Sequence, residues 1–264
     1  MPKVFEIISI GNELLIGKVV NSNASYLCKK ITELGGFVRR ITVVRDDLDE
    51  ISSSIREAIA RNPDYIITTG GLGPTFDDMT LEGIARALRL ELEVNEDALK
   101  MIKEKYQAIN EQLTQHRIKM AKFPRGAIAL KNKVGMAPGC LISVSSTKIL
   151  SLPGVPKEME AIFEDFVEST LRSELSSTKF LEESLFVFGI KESTFAPVID
   201  EVRKKVPEVY IKSHPKGAEG EPSLELHLTI YGEDEQIIRN KLSEASKLLE
   251  EKVIFLGGKL AKKS

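Results

Sequence analysis

The sequence predicts an α/β protein with a largely parallel sheet, followed by a smaller α+β domain of the ferredoxin-like type. The first prediction rests on apolar runs of strand length that alternate with segments of helical periodicity. The second rests on a change near residue 178 to the element order β-α-β-β-α-β. We therefore expect residues 1–177 to form the first domain and residues 178–264 to form the second.

Short apolar runs, which are typical of strands buried on both faces, locate the strands of the first domain. They cover residues 4–10, 37–44, 65–69, 127–130, 140–145 and 147–152, with a hairpin turn at Ser145-Ser146. Apolar residues spaced by three or four locate the helices. These cover residues 21–34, 48–60, 77–90, 95–111 and 156–175.

The second domain follows a linker predicted at Ser176-Ser177-Thr178. Its strands are predicted at residues 185–190, 209–213, 223–230 and 253–256, and its helices at 194–206 and 233–250. Apolar and polar residues alternate from Leu224 to Ile230, which indicates a sheet with one solvated face. Residues 259–264 are predicted to be a frayed tail.

Composition excludes several classes of function. The 264 residues are 42% hydrophobic, which is enough to bury a sizeable core, and the net charge of -2 offers no basic field to nucleic acid. No apolar run reaches the roughly 18 residues of a membrane span, and the N-terminus does not resemble a signal peptide. Cys28 and Cys140, which are far apart, predict neither a disulfide framework nor a zinc site. We expect a cytoplasmic location.

The most informative segment joins an apolar strand to a helix through a glycine-rich loop. We predict ligand binding for the loop residues Gly70, Gly71, Leu72, Gly73, Pro74 and Thr75, together with Thr80. Glycine tolerates positive φ, so successive N–H groups can point at a phosphate, and the following helix N-terminus adds a favourable dipole. The alternative is a tight turn before a helix capped by Asp77 or Asp78.

Acidic residues follow three strands whose carboxyl ends should share one rim of the sheet. Glu13 follows the first strand, Asp46 the second, and Asp77 and Asp78 the third. Acids beside an anion site suit metal binding or proton transfer better than phosphate binding. We therefore predict that all four are catalytic and that Asp77 and Asp78 bind a divalent metal ion of unspecified identity. Helix capping is the alternative for the Asp46-Asp47 pair.

A second loop of the same kind follows a later strand. Pro153 and Gly154 come after an apolar run and precede a helix, so their backbone can form another ring of donors for the ligand. An ordinary strand-to-helix connection is the alternative.

At these residues the sequence resembles the N-terminal region of the CinA family of competence/damage-inducible proteins, within the molybdopterin-binding superfamily. The resemblance covers essentially the whole chain, and its most specific part runs from Gly70 to Asp78. The other matching segments are residues 11–17 with Asn23, Asp46, Thr80, Asn132, Gly135, 137–139, 152–156, Glu158, Met159, 189–193 and 212–216. The resemblance implies a three-layer, molybdopterin-binding-like fold and adds Asn23 to the ligand-binding residues.

The resemblance also implies a function, namely metal-dependent hydrolysis of the pyrophosphate bond of ADP-ribose to AMP and ribose 5-phosphate. Two alternatives remain: a molybdopterin- or nucleotide-binding module without turnover, and an adenylyltransferase acting on a pterin phosphate. Leu72 stands where the related molybdopterin adenylyltransferases have threonine, which disfavours a molybdopterin substrate.

Further expectations follow from the same resemblance. Many members carry a C-terminal deamidase domain, for which a chain ending at Ser264 has no room, so we expect no deamidase activity. We also expect a nucleotide or pterin as the small-molecule partner and a homo-oligomer. The net charge and the lack of a long apolar run, by contrast, are the reasons to expect neither nucleic acid nor membrane as a partner.

Overall fold

The computed structural model describes residues 2–175, 177–216 and 222–262. Contacts divide the chain into two units, of which one comprises residues 3–175 and the other residues 1–2 with 176–264. Ser176 of the predicted linker and residues 263–264 of the predicted tail lie outside the described residues. The division into domains 1–177 and 178–264 stays a prediction.

A six-stranded sheet forms the middle layer of the first unit. The strands of this unit are β1 (Val4–Ile10), β2 (Phe37–Val44), β3 (Tyr65–Thr69), β4 (Leu92–Val94), β5 (Lys122–Pro124), β6 (Ile128–Leu130), β7 (Gly139–Val144) and β8 (Thr147–Leu152). The order in the sheet is β2-β1-β3-β8-β7-β6, with the first four strands parallel and β7 antiparallel to both neighbours. β4 and β5 form a separate two-stranded sheet.

Helices cover both faces of the six-stranded sheet. They are α1 (Asn12–Leu15), α2 (Ser22–Glu33), α3 (Leu48–Ala60), α4 (Thr80–Leu88), α5 (Glu96–Ala108), α6 (Gln115–Lys119), α7 (Pro156–Phe166) and α8 (Arg172–Glu174), with a π-helical turn at Val167–Leu171. The core on one face includes α3, α4 and α5, and that on the other includes α2 and α7. Ile66 and Ile67 belong to opposite faces because successive strand residues point to opposite sides. The predicted three-layer fold is therefore confirmed.

One helix of the first unit begins later than predicted. We predicted a helix over residues 77–90, but α4 starts at Thr80 and its N-cap, Met79, makes no side-chain capping bond. The Asp78 carboxylate instead accepts a hydrogen bond from the Thr75 N–H at 2.8 Å. The alternative in which Asp77 or Asp78 caps this helix is therefore wrong. The predictions also missed α1, α6, β4 and β5, which are too short to show a periodicity.

The second unit forms a four-stranded antiparallel sheet. Its elements are β9 (Lys179–Phe188), α9 (Glu192–Lys205), β10 (Tyr210–Pro215), β11 (Ser223–Gly232), α10 (Glu235–Phe255) and β12 (Lys259–Lys262). The strand order β10-β11-β9-β12 is the arrangement of a split βαβ fold, which confirms the ferredoxin-like prediction. On β11, Leu226 is fully buried while Glu225 and His227 are partly exposed, as the alternation predicts.

The C-terminal end of this unit corrects two predictions. The predicted strand at residues 253–256 is wrong because α10 continues to Phe255, with Val253 fully buried in its core face. Gly257, at a φ of +76°, follows the helix, as glycine commonly does at helix ends. The predicted frayed tail instead contributes β12, which pairs with β9. Among the described residues, no helix combines the length and apolar character that a membrane crossing requires.

A buried carboxylate ties β1 to its surroundings in the first unit. The side chain of Glu6 is 1% exposed and accepts hydrogen bonds from Arg39 on β2 at 2.6 Å and from Arg61 after α3 at 2.8 Å. Burial opposes ionisation of Glu6, but the hydrogen bonds from Arg61 and then Arg39 outweigh it, so its pKa is lowered. The folded state therefore favours the ionised carboxylate.

We expect Glu6→Gln to lower the free energy of unfolding at pH 7 by about 2 kcal/mol, because it removes the charge that both arginines contact. The pKa of Glu6 is lowered on folding, so its stabilisation is complete above the unfolded value and disappears as the pH falls through the folded value. The difference from wild type should therefore shrink in acid. Urea denaturation at pH 7 and below pH 4 measures both effects. Glu57→Gln, which changes an exposed partner of Arg61, is the control and should cost under about 0.5 kcal/mol.

Candidate functional site

A pocket of about 570 Å³ opens where β1, β2, β3 and β8 end. This volume suits a small-molecule ligand. The pocket brings together most of the predicted site residues, namely Glu13, Asp46, Gly70, Gly71, Leu72, Gly73, Pro74, Thr75, Asp77, Asp78, Pro153 and Gly154. Thr80 and Asn23 are the two predicted residues that do not line it.

The glycine loop, residues 70–75, depends on two glycines at its start. Gly70 and Gly71 have φ values of +99° and +65°, a region that side chains other than glycine rarely adopt. A Cβ at Gly71 would lie 2.2 Å from Thr80 Oγ1. Thr80 is fully buried and donates a hydrogen bond to the Gly70 carbonyl at 2.8 Å. The structure therefore places Thr80 behind the loop, where it holds the backbone in position.

The second loop, at Pro153 and Gly154, lies directly against the first. A Cβ at Gly154 would lie 3.3 Å from Gly70 Cα, and the Gly70 N–H donates to the Leu152 carbonyl at 3.0 Å. Asn23 donates from Nδ2 to the Gly154 carbonyl at 2.8 Å and lines a smaller neighbouring cavity of about 80 Å³. Asn23 thus anchors the second loop from outside the main pocket, as Thr80 anchors the first.

Asp77 and Asp78 meet at one hydroxyl group. Thr75 Oγ1 lies 2.5 Å from Asp77 Oδ1 and 2.6 Å from Asp78 Oδ2, and its single proton can be donated to only one of them at a time. The hydrogen bond from Thr75 lowers the pKa of Asp77, and the nearby charge of Lys119 lowers it further. The pocket thus holds an ionised carboxylate with a second one beside it.

The sequence left open whether the Asp46-Asp47 pair caps a helix or belongs to the site, and the structure gives one role to each residue. Asp47 caps α3, since its Oδ1 accepts from the Asp49 and Glu50 N–H groups at 2.9 and 3.0 Å. Asp46 lines the pocket and accepts from the Asn12 N–H at 2.8 Å.

Burial raises the pKa of Asp46, and the negative charges of Glu13 and Asp77 raise it further. Glu13 lies on α1, with its Oε1 only 2.5 Å from where a Cβ of Gly11 would be. These acids therefore repel one another across the pocket, and a bound cation would relieve that repulsion.

Few protein groups in the pocket are available to coordinate a metal ion. Among the residues that the structure describes, no group of three or more His, Cys, Asp or Glu side chains is arranged to hold a metal ion. Asp77 and Asp78 offer two carboxylates on either side of the Thr75 hydroxyl. Magnesium characteristically binds through one or two carboxylates and completes its coordination with water and substrate phosphates. The residues present fit a cation that binds together with a phosphorylated ligand.

Other residues of the pocket had no recognisable signal in the sequence. Tyr106, Met120 and Met136 form an apolar wall, although they come from α5 and from two loops distant in the chain. Lys119 does not line this pocket, but it donates a hydrogen bond to the Thr75 carbonyl, which places a positive charge beside the glycine loop. Only the folded chain brings these residues to the strand ends.

A family model described as probable molybdopterin binding domain matches residues 6–173, which is more than half of the chain. The chain belongs to this family. Membership supports a small-molecule ligand of the pterin or nucleotide type, and the matched region contains both glycine-containing loops and the acids of the pocket.

Individual proteins are similar over greater lengths. A protein from Sulfurisphaera tokodaii is 49% identical over 254 residues, which is 96% of each chain, and one from Metallosphaera sedula is 46% identical over 97% of this chain and 96% of its own. The crystal structure of the protein CinA, of unknown function, from Thermoplasma acidophilum is 46% identical with a TM-score of 0.60. That similarity covers 64% of this chain and 98% of the CinA chain. The resemblance to CinA is therefore confirmed.

We expect Gly71→Ala to destabilise the first unit more than Gly126→Ala does. Both glycines have positive φ, so each alanine should cost about 1–2 kcal/mol of backbone strain. Gly126 has open space around it, whereas the new methyl at position 71 would displace the Thr80 hydroxyl from its bond to Gly70. The additional loss should be about 1 kcal/mol or more, measured by urea denaturation. Equal losses in the two variants would contradict this account of the loop.

We also expect Asp46 to titrate above, and Asp77 below, the ordinary range of aspartate in the metal-free protein. Replacing Asp77 by Asn or Glu13 by Gln should lower the pKa of Asp46, because each removes a charge that opposes its ionisation. Carboxyl-carbon NMR titration measures these pKa values directly. The raised pKa means that ionised Asp46 destabilises the fold as the pH rises through it, so Asp46→Asn should be stabilising at pH 7. An unchanged Asp46 titration in Asp77→Asn would contradict the coupling.

Proposed function

We propose that the chain hydrolyses the pyrophosphate bond of ADP-ribose or a related nucleotide, giving AMP and ribose 5-phosphate in the case of ADP-ribose. The observation that supports the proposal is a single pocket in which two glycine-containing loops adjoin a group of acids. Backbone N–H groups of such loops suit phosphate oxygens, whereas carboxylates suit a cation and a proton.

Asp77 and Asp78 are the residues that we assign to a divalent cation, with the ligand's phosphates completing its coordination. A cation there would activate water and neutralise charge that develops on the phosphoryl oxygens. The lowered pKa of Asp77 supports its assignment, since a metal ligand has to be ionised. Thr75 positions these carboxylates, since its hydroxyl donates to one of them at a time and its N–H donates to Asp78.

Asp46 is our candidate for the base that accepts a proton from the attacking water. Its raised pKa gives it a greater proton affinity than an ordinary aspartate, and it faces the same pocket. In the reaction the water oxygen bonds to one phosphorus atom while the bond from that phosphorus to the bridging oxygen breaks. Glu13 supports this role because its charge helps to raise the pKa of Asp46.

A second candidate function is pterin or nucleotide binding, with or without adenylyl transfer to a pterin phosphate. The description of the matching family favours it. Product analysis separates the candidates: AMP formed from ADP-ribose supports hydrolysis, and pterin-dependent release of pyrophosphate from ATP supports transfer. Binding of a pterin or nucleotide without formation of any product supports a binding module without turnover. A cytoplasmic location and a homo-oligomeric state belong to the same proposal.

We expect Asp78→Asn to lower the turnover of ADP-ribose by at least about 10²-fold, because the variant loses the negative charge needed for metal binding or water activation. Asparagine can still accept the Thr75 N–H, so the thermal midpoint should hardly change. Turnover is measured by AMP formation with saturating Mg²⁺ or Mn²⁺.

Asp47→Asn is the matched control for that variant. Asp47 caps α3 and does not line the pocket, and asparagine caps about as well as aspartate. Its turnover should therefore stay close to wild type. A folded Asp78→Asn protein with near-normal hydrolysis would falsify the catalytic assignment.

A further inference from the structure

Glu158 is a carboxylate of the pocket to which the proposed hydrolysis gives no role. It is half-buried and lies in the first turn of α7, four residues after Gly154 in the chain. Its Oε2 accepts a hydrogen bond from Asn132 Nδ2 at 2.6 Å. The ammonium group of Lys105, which donates to the Gly135 carbonyl, lies close enough to Glu158 for the two charges to attract. A carboxylate has two acceptor oxygens, so Glu158, which lines the pocket, keeps acceptor capacity beyond its bond to Asn132.

Asn132 holds this carboxylate in one orientation. It is 2% exposed, its Nδ2 also donates to the Ala137 carbonyl at 2.8 Å, and its Oδ1 accepts from the Val134 and Gly135 N–H groups at 3.0 and 2.8 Å. Every polar group of the amide is thus engaged. A Cβ at Gly135 would lie 1.9 Å from the Glu158 carboxyl carbon, so the absence of a side chain there lets the backbone approach Glu158.

Glu158 lies between two differently built parts of the pocket. On one side Gly154 abuts Gly70 of the glycine loop, where phosphates would bind. On the other side Gly135 is followed by Met136, which belongs to the apolar wall. Thioether and aromatic side chains suit a flat ring. A nucleotide carries its phosphate, ribose and base in that order, so a nucleotide that spanned these two parts would bring its ribose near Glu158.

We propose that Glu158 binds the 2′- and 3′-hydroxyl groups of the nucleoside ribose and thereby selects ribonucleotides over deoxyribonucleotides. An ionised carboxylate accepts hydrogen bonds from hydroxyl groups strongly, and acidic side chains bind the ribose 2′-hydroxyl in dinucleotide-binding folds. The inference rests on the proposed function, since it assumes that the pocket receives a nucleotide, and it names the part of the substrate that this residue recognises.

The experiment combines two ligands with three proteins. ADP and 2′-deoxy-ADP are titrated in the presence of Mg²⁺ into wild type, Glu158→Gln and Glu160→Gln, and each dissociation constant is measured by calorimetry. Glutamine retains an oxygen that can accept from Asn132, so the 132–137 loop keeps its anchor. Glu160 lies on the same helix but outside the pocket, which makes Glu160→Gln the matched control.

Wild type and Glu160→Gln should bind ADP about 10-fold or more tighter than 2′-deoxy-ADP, as expected for a hydrogen bond to a charged group. Glu158→Gln should weaken the binding of ADP by about the same factor and leave the affinity for 2′-deoxy-ADP nearly unchanged. Equal affinities of the two ligands in wild type would overturn the inference. An equal loss of affinity for both ligands in Glu158→Gln would also overturn it, because a residue that only anchors the 132–137 loop would have that effect.

The calorimetric readout separates this inference from the proposed hydrolysis. Hydrolysis of ADP-ribose without ribose discrimination refutes the role of Glu158 and leaves the hydrolase proposal standing. Ribose discrimination without hydrolysis of ADP-ribose supports Glu158 and refutes the hydrolase. Absence of ADP binding at millimolar concentration refutes the inference.

Discussion

The missing side chain at Gly70 is the constraint on which the pocket depends. A Cβ there would lie 2.2 Å from the Ile10 carbonyl at the end of β1. The same residue donates a hydrogen bond to Leu152 at the end of β8 and lies so near Gly154 that a Cβ on Gly154 would be 3.3 Å from Gly70 Cα. Three adjacent strands can therefore end at one point with their backbones in contact. Any larger residue would force the strand ends apart, and the two loops would no longer form one surface.

The acids of the pocket follow from the same convergence. Parallel strands deliver their following residues to one rim, and here those residues include Glu13, Asp46, Asp77 and Asp78. The electrostatic result is uneven, since Thr75 and Lys119 favour ionised Asp77 while burial and neighbouring charges disfavour ionised Asp46. Two carboxylates with opposite shifts in one pocket are suited to different tasks in one reaction.

Local signals made much of this architecture predictable. Two short-range patterns were enough to predict the loop and its acids. One is the run of β3 into three closely spaced glycines, and the other is the presence of acids after successive strands. Tertiary contacts decided the rest. Composition could not reveal that Asp78 bonds to Thr75 instead of capping α4, or that residues 259–262 pair with β9. Tyr106 belongs to the apolar stripe of α5, so nothing in its neighbourhood distinguishes it from an ordinary core residue.

Thr80 and Asn23 hold the two loops through their carbonyl groups while standing outside the main pocket. A loss of activity in a variant of this family therefore does not by itself show that the substituted residue lines the pocket. A substitution at either position would relax the backbone of a loop that we propose to bind the ligand, so it would lower activity although the substituted residue does not line the pocket. Loss of function at such positions shows that the backbone of the two loops has to be held in place. Protection of a residue from chemical modification by bound ligand shows instead that the residue lies on the surface of the pocket.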